Sequence, residues 1–342
     1  MKLWIKVVLI IAASATVLGL VIGIGGLCMI NFDFEALQTQ TYEPVTHEVT
    51  GEFSDISIQT YESSIEFKQS SDGTCKIECM ESEHLSYDVK VQDGKLSVTA
   101  RDTHQWYHNI GIFNLQQQNM TVYLPDTVYG TLQIQSATGS VHTSPEFSFA
   151  DVEIDLSTGL VSWEANVAHS MKIENRTGMV QIKNVTLDGA LSVDNNTGSI
   201  SIEGVQAQSL KAKTSTGKVG ISNTSAKEEI RISTNTGYTE LNGCRAADIS
   251  IEGNTGRVRV CDVEVTDRLQ IETDTGDVEL DACLAGEMQI DTDTGDVEGT
   301  LASPMVIFAR SDTGRIRVPK STTGGRCDIT TDTGNIIIEF EE

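Results

Sequence analysis

The side chains best placed to do chemistry in this sequence are carboxylates, and they recur in register. In the Asp-Thr-Gly-Asp copies, Asp274 and Asp277 are followed by Asp293 and Asp296, and the acidic position two before Gly continues at Asp312 and Asp332. A row of hard oxygen ligands is what calcium takes, about six to eight at a time. Calcium bound by Asp274, Asp277, Asp293 and Asp296 is therefore the one cofactor the pattern suggests, although the copies do not match the Gly-Gly-x-Gly-x-Asp calcium repeat. Water together with Arg310, Arg315 and Arg317 can balance the same charge. Carboxylates from neighbouring repeats also surround the sugar in polysaccharide-cleaving β-helices. Here the repeats are short, outward positions carry few aromatics and no long insertion walls a cleft, so that enzyme is the alternative and a non-enzymatic role the main expectation.

Other catalytic signals are missing. The sequence has no Ser/His/Asp order, phosphate-binding Gly loop or Gly-x-Ser-x-Gly elbow. His104 and His108 have a metal-binding spacing only if they lie on a helix, and nothing around them signals one. They flank Trp106 and Tyr107, which with Phe113 form an aromatic loop suited to contact with a surface or partner. Of the seven cysteines, Cys28 lies in the first apolar run, and no Cys-x-x-Cys pair signals structural zinc. Cys75, Cys79, Cys244, Cys283 and Cys327 fall at apolar offsets and read as buried free thiols, whereas Cys261 points outward.

The elements that must position these residues are written in one dipeptide. Thr-Gly recurs from Thr138-Gly139 to Thr333-Gly334 in eleven copies, always 19 or 20 residues apart. Such a period marks a repeat architecture whose units bury their apolar faces only against one another. Counting from Gly, positions +2 and +4 are aliphatic, as in Val180 and Ile182 or Val278 and Leu280. A second pair precedes Gly by seven and five, as in Met171 and Ile173 or Leu269 and Ile271. Period-two alternation means strands, and smaller residues at +7 and +9 suit a narrow third edge. The expected fold is all-β, a parallel β-solenoid of about ten flattened or triangular coils. Gly178, Gly198, Gly217, Gly237, Gly256, Gly276, Gly295 and Gly314 would form its corner column, where a Cβ would obstruct the bend. The Thr before each Gly could stack into a hydrogen-bonded ladder, or merely suit the corner.

If equal offsets become neighbours, charges at +1 and +3 pair across coils. Arg257 is expected beside Asp277, Arg259 beside Glu279, Asp296 beside Arg315 and Glu298 beside Arg317. The last strand, ending in Glu341-Glu342, would leave an open edge guarded by charge.

Ahead of the repeats, residues 1–30 carry Lys2 and Lys6 and then an uncharged run from Val7 to Ile30. Its 24 residues exceed the roughly 20 needed to span a bilayer. They read as an uncleaved transmembrane anchor with a cytoplasmic N-terminus. Residues 31–50 are polar and read as a linker; 51–130 alternate without the repeat register and read as a strand-rich N-terminal cap, with a hairpin at Asp93-Gly94. The solenoid proper is 131–342. The net charge of −25, from 49 acidic and 24 basic residues, makes nucleic acid a poor partner and gives a soluble surface.

An anchor-like start, a strand-rich segment with a Trp-containing loop, the Val122-Tyr123-Leu124-Pro125 strand and serial Thr-Gly coils together resemble the DUF4097 family of bacterial envelope proteins, often labelled adhesins. The resemblance covers roughly Gly51 to Phe340. It implies a β-solenoid outside the membrane, sometimes linked with envelope-stress systems, and brings no catalytic residues with it. The function expected is surface interaction, adhesion or envelope-stress sensing at the bacterial cell membrane. Expected partners are the membrane through residues 7–30 and either another envelope protein or a cell-wall polymer.

Overall fold

The structure, a computed structural model, describes residues 3–29, 41–103 and 118–341. Among the described residues, one apolar helix, Leu3–Met29, precedes strands that together form a β-solenoid. The repeat strands stack in parallel and in register: Thr158 on Thr177, Thr177 on Thr197, Thr197 on Thr216, Thr216 on Thr236, and onward to Thr294. Both aliphatic pairs point inward and form a single core along the stack. The narrow third edge is present too, with Val185, Val205, Cys244, Val263 and Cys283 buried at +7.

Two features fix the corners. At the Thr-Gly corner each Gly sits against the carbonyl of the Gly one coil away, and a Cβ added at any of Gly159 to Gly295 would lie 1.6–2.0 Å from that oxygen. No side chain fits there. The Thr before each Gly stacks on its counterparts but faces solvent. The bonds that tie corner to corner come from the residue three before Gly, inside the coil. Asn175 donates to the Gly159 carbonyl at 3.2 Å, Asn195 to Gly178 at 3.0 Å, and Thr331 to Gly295 at 3.1 Å. The second corner, at +6, is a column of left-handed residues: Asn184, Gly204, Asn223, Gly243, Asp262 and Ala282, with φ between 49° and 66°. Asn, Asp and Gly tolerate this conformation; Ala282 is the exception.

The ends of the stack depart from chain order. At the C-terminal end, Arg326–Thr333 lies between Val278–Thr294 and Val306–Thr313, and Ile336–Phe340 lies between Val297–Leu301 and Ile316–Arg317. The last coil in sequence is thus inserted one place inward, and the coil before it becomes the tip. Accordingly Gly334 stacks on Gly295, and Gly314 on Gly334. This corrects two expectations. Asp296 and Glu298 meet Asn335 and Ile337, not Arg315 and Arg317, and the last strand is not the open edge. The burial of the apolar pairs follows the order. Ile336 and Ile338 in the inserted coil are buried from both sides, whereas Ile316 in the tip coil, covered on one side, is 42% exposed.

The N-terminal end is threaded the same way. Asp55–Thr60 pairs in parallel with both Val128–Thr138 and Lys95–Asp102, and Ser63–Gln69 with both Val141–His142 and Gln118–Leu124. The strand-rich segment is therefore two further coils of the same stack, the first in sequence again lying inside the second. Loops of irregular length hide the period. Antiparallel strands then close this end: Leu85–Gln92 covers Lys95–Asp102 through a turn with Asp93 and Gly94 at positive φ, and Cys75–Glu81 covers Gln118–Leu124. The outermost strand, Glu43–Val49, pairs with Cys75–Glu81, and Tyr42 beside it is buried, its hydroxyl accepting from Gln118 at 2.9 Å. Half of the segment read as linker 31–50 is thus part of the fold, because Val45, His47 and Val49 supply a half-buried inward row and Tyr42 a buried ring beside it, which the polar composition obscured.

Candidate functional site

The two acidic columns run along one solvent-facing corner. Asp274, Asp293, Asp332 and Asp312 follow each other in space in that order, each exposed. The inner column differs. Asp277 accepts the Asp296 backbone N–H at 3.2 Å, Asp296 accepts the Asn335 N–H at 2.7 Å and its side-chain amide at 3.2 Å, and Asn335 Oδ1 accepts the Arg315 N–H at 3.0 Å. Each carboxylate or amide oxygen thus satisfies a donor of the next coil. Stacked like charges are tolerated because every member faces a backbone dipole. Asp277 has a cation as well: Arg257 reaches it at 3.6 Å and Glu279 at 3.1 Å, while Arg259 comes within 3.9 Å of Glu279. Those two pairings were expected. As the residues stand, Asp277 and Asp296 act as corner-to-corner braces, and Asp274 and Asp293 remain solvent-facing oxygens.

The second surface is the tip. Val306–Thr313 and Ile316–Arg317 each pair on one side only among the described residues, leaving a row of backbone donors and acceptors outward. Phe308, 56% exposed, and Ile316 project from this edge. Residues 304–320 carry four basic side chains, Arg310, Arg315, Arg317 and Lys320, against one acidic, Asp312: a balance of +3 in a chain of −25. Arg310 bonds Asp312 at 3.1 Å and Arg317 reaches Glu339 at 3.4 Å, while the Arg326 guanidinium lies 5.1 Å over the Phe308 ring. Sequence reasoning missed this edge because it assumed that the last strand in the chain is the last in space. The offsets carried no such signal: Arg occupies +1 and +3 in the interior coil at Gly256 as well as in the coil at Gly314, whose apolar offsets Ile307, Ala309, Ile316 and Val318 are all filled.

The aromatic residues Trp106, Tyr107 and Phe113, with His104 and His108, lie outside the described residues. The helix Trp4–Met29 is long and apolar enough to cross a membrane.

Among solved structures, the chain is similar in fold to a protein described as a "putative adhesin" from Bacteroides fragilis, at 15% identity over 87% of this chain and 97% of that one, TM-score 0.33. It is also similar to one described as a "putative lipid binding protein" from Parabacteroides distasonis, at 14% identity over 86% and 96%, TM-score 0.36. A third, from Clostridium sporogenes and described as a "putative cell adhesion protein", shares 12% identity over 88% and 100%, TM-score 0.20. No curated protein matches the sequence. The Toastrack DUF4097 profile matches residues 53–246 and again 227–342, which together take in every Thr-Gly coil and all of the stack except its outermost N-terminal strand. The chain belongs to the DUF4097 family.

Proposed function

We propose that this protein is a non-enzymatic, membrane-anchored solenoid of the bacterial envelope, with a cytoplasmic N-terminus, that works by surface interaction through its tip. The observation that carries the reading is the open edge of Val306–Thr313, with Phe308 and Ile316 exposed beside it and a local balance of +3. An extended segment adding to such an edge gains main-chain hydrogen bonds, and the flanking side chains select it. Arg315, Arg317 and Lys320 favour an acidic segment of another envelope protein and disfavour a second tip of the same charge. The apolar helix, lying before the first strand, supports anchoring, and resemblance to envelope proteins supports an extracytoplasmic position for the solenoid. A role in adhesion or envelope-stress sensing would follow from which protein is bound.

A photo-crosslinking residue placed at Phe308 of the full chain in native membranes tests this, with Leu160 on the flank of the stack as control position. A discrete protein adduct from 308, absent from 160 and lost on Ile316→Asp, supports the reading. Equal labelling from both positions, or adducts to glycan only, counts against it.

The alternative, a polysaccharide-active enzyme, draws on the exposed oxygens of Asp274 and Asp293, stacked on neighbouring coils. Asp293→Asn abolishing release of reducing ends from cell-wall polymer would favour it.

A further inference from the structure

At the N-terminal end of the stack, three different donor atoms converge on the inward face of two adjacent strands. Cys79 and Glu81 lie on Cys75–Glu81, and His47 lies on its antiparallel neighbour Glu43–Val49. The pairing sets Val45 opposite Cys79 and His47 opposite Ile77, so His47, Cys79 and Glu81 share one face. His47 Nε2 is 2.7 Å from Glu81 Oε1, Cys79 Sγ is 3.8 Å from the same oxygen, and all three ligand atoms lie within 4.8 Å of one another. Glu81 continues the inward row Cys75, Ile77, Cys79, where the alternation would otherwise place an apolar side chain. Its carboxylate is held by the Tyr87 backbone N–H at 3.1 Å, and its side chain is 19% exposed, that of His47 25%.

We propose that His47, Cys79 and Glu81 form a binding site for a divalent transition ion of the zinc class. The set supplies one imidazole nitrogen, one thiolate and one carboxylate, a mixture that suits zinc and is foreign to the all-oxygen preference of calcium and magnesium. A neutral imidazole with two anions matches the charge of a divalent ion. Zinc bonds of about 2.0–2.3 Å put tetrahedral donors about 3.3–3.7 Å apart. The sulfur-to-carboxylate distance of 3.8 Å is close to that already, and the His47–Glu81 contact of 2.7 Å has to open by less than about 1 Å. Binding displaces the Cys79 thiol proton to solvent, shifts the His47 ring proton from Nε2 to Nδ1 so that the imidazole stays neutral, and exchanges the His47–Glu81 hydrogen bond for two metal bonds. Water completes the fourth position. The Tyr87 N–H keeps the carboxylate aimed, as outer-shell donors do in metal sites. Because His47 comes from the outermost strand and the other two ligands from the next, the ion clamps Glu43–Val49 onto the stack. The site is independent of the tip and of the role proposed for it.

Cobalt(II), titrated into the metal-free full chain in detergent, is the probe. The expected result is a thiolate-to-cobalt charge-transfer band that saturates at one ion per chain, bleaches on adding zinc, and survives Cys28→Ser and Cys261→Ser. Cys79→Ser should abolish the band, and His47→Ala, at the solvent-accessible edge, should weaken binding at least about tenfold, the order seen when a metal site loses a partner. Zinc should also slow amide exchange across Glu43–Val49 in the unaltered chain. Absence of the band in that chain, its persistence in Cys79→Ser, or unchanged affinity in His47→Ala would overturn the proposal.

Discussion

The Asp296 carboxylate accepts both the backbone N–H and the side-chain amide of Asn335, at 2.7 and 3.2 Å, although the two residues are 39 positions apart. Arg315, only 19 positions from Asp296, lies one coil farther out and donates its own N–H to Asn335 Oδ1. This relationship defines the order of coils at the tip and can be measured. A double-mutant cycle between Asp296→Ala and Asn335→Ala should give a coupling above about 0.5 kcal/mol, while the Asp296/Arg315 cycle should give nearly none. Asp296→Ala alone should cost about 1–2 kcal/mol in denaturant unfolding, because it leaves the Asn335 N–H without its acceptor. Coupling to Arg315 instead would mean that the coils stack in chain order.

Insertion of the last coil also predicts an unusual pattern of local stability. In a solenoid stacked in chain order, the final strand frays first. Here Ile336 and Ile338 are buried between two coils, whereas Ile316 is 42% exposed. Amides of Ile336–Phe340 should therefore exchange more slowly than those of Val306–Thr313, read residue by residue by hydrogen exchange. Deleting residues 326–342 should unfold the tip coil as well, because it would lose the only strands it pairs with among the described residues.

One methyl group should be unfavourable at both corner columns, and far more so at the Thr-Gly corner. Gly237→Ala would put a Cβ 1.7 Å from the Gly217 carbonyl oxygen at φ +153°, and should destabilise by more than about 3 kcal/mol. Ala282 sits at φ 50°, in a column otherwise filled by Asn, Asp and Gly. Ala282→Gly should raise stability by about 0.5–1 kcal/mol by removing left-handed strain, measured as a shift in melting temperature.

Thiol chemistry should divide the cysteines by burial. Cys75, Cys283 and Cys327 are buried, and loss of hydration pushes their thiols up from an ordinary value of 9.0 to about 12. In the native protein Cys261 should be the only solenoid cysteine that a maleimide modifies quickly at pH 8, the others reacting on unfolding. The same shifts set a pH dependence. Below pH 9 the thiols are protonated in both folded and unfolded chains and their contribution is fully present; between pH 9 and 12 only the unfolded chain ionises, so stability should fall as pH rises through that window. A melting temperature that is level from pH 9 to 11 would contradict this.

Much of the fold was legible because repeat structure is written locally. Thr-Gly at a constant interval, aliphatic pairs on each side and small residues at +7 and +9 each report a local constraint, and in-register stacking then follows for the interior coils, as the contacts of Arg257 with Asp277 and of Arg259 with Glu279 show. The Asn184, Gly204, Asn223, Gly243, Asp262 column was equally visible as left-handed residue types but carries no apolar periodicity to draw attention to it. The convergence of His47 with Cys79 and Glu81 had no local signature at all, since it depends on an antiparallel pairing across 34 residues.

By itself, then, the sequence determined the coil: its strands, its glycine corner and the inward row of aliphatic side chains, all set by steric and hydrophobic demands within about twenty residues. Only the tertiary structure decided which coil lies at each end. Coils of one period are nearly interchangeable as neighbours, so the order at the ends is chosen by how much apolar surface each arrangement removes from water, a comparison among several coils at once. Burying Ile336–Phe340 and leaving Val306–Thr313 outermost moved the open edge, the basic tip and the partner of Asp296 to places that no spacing along the chain encodes.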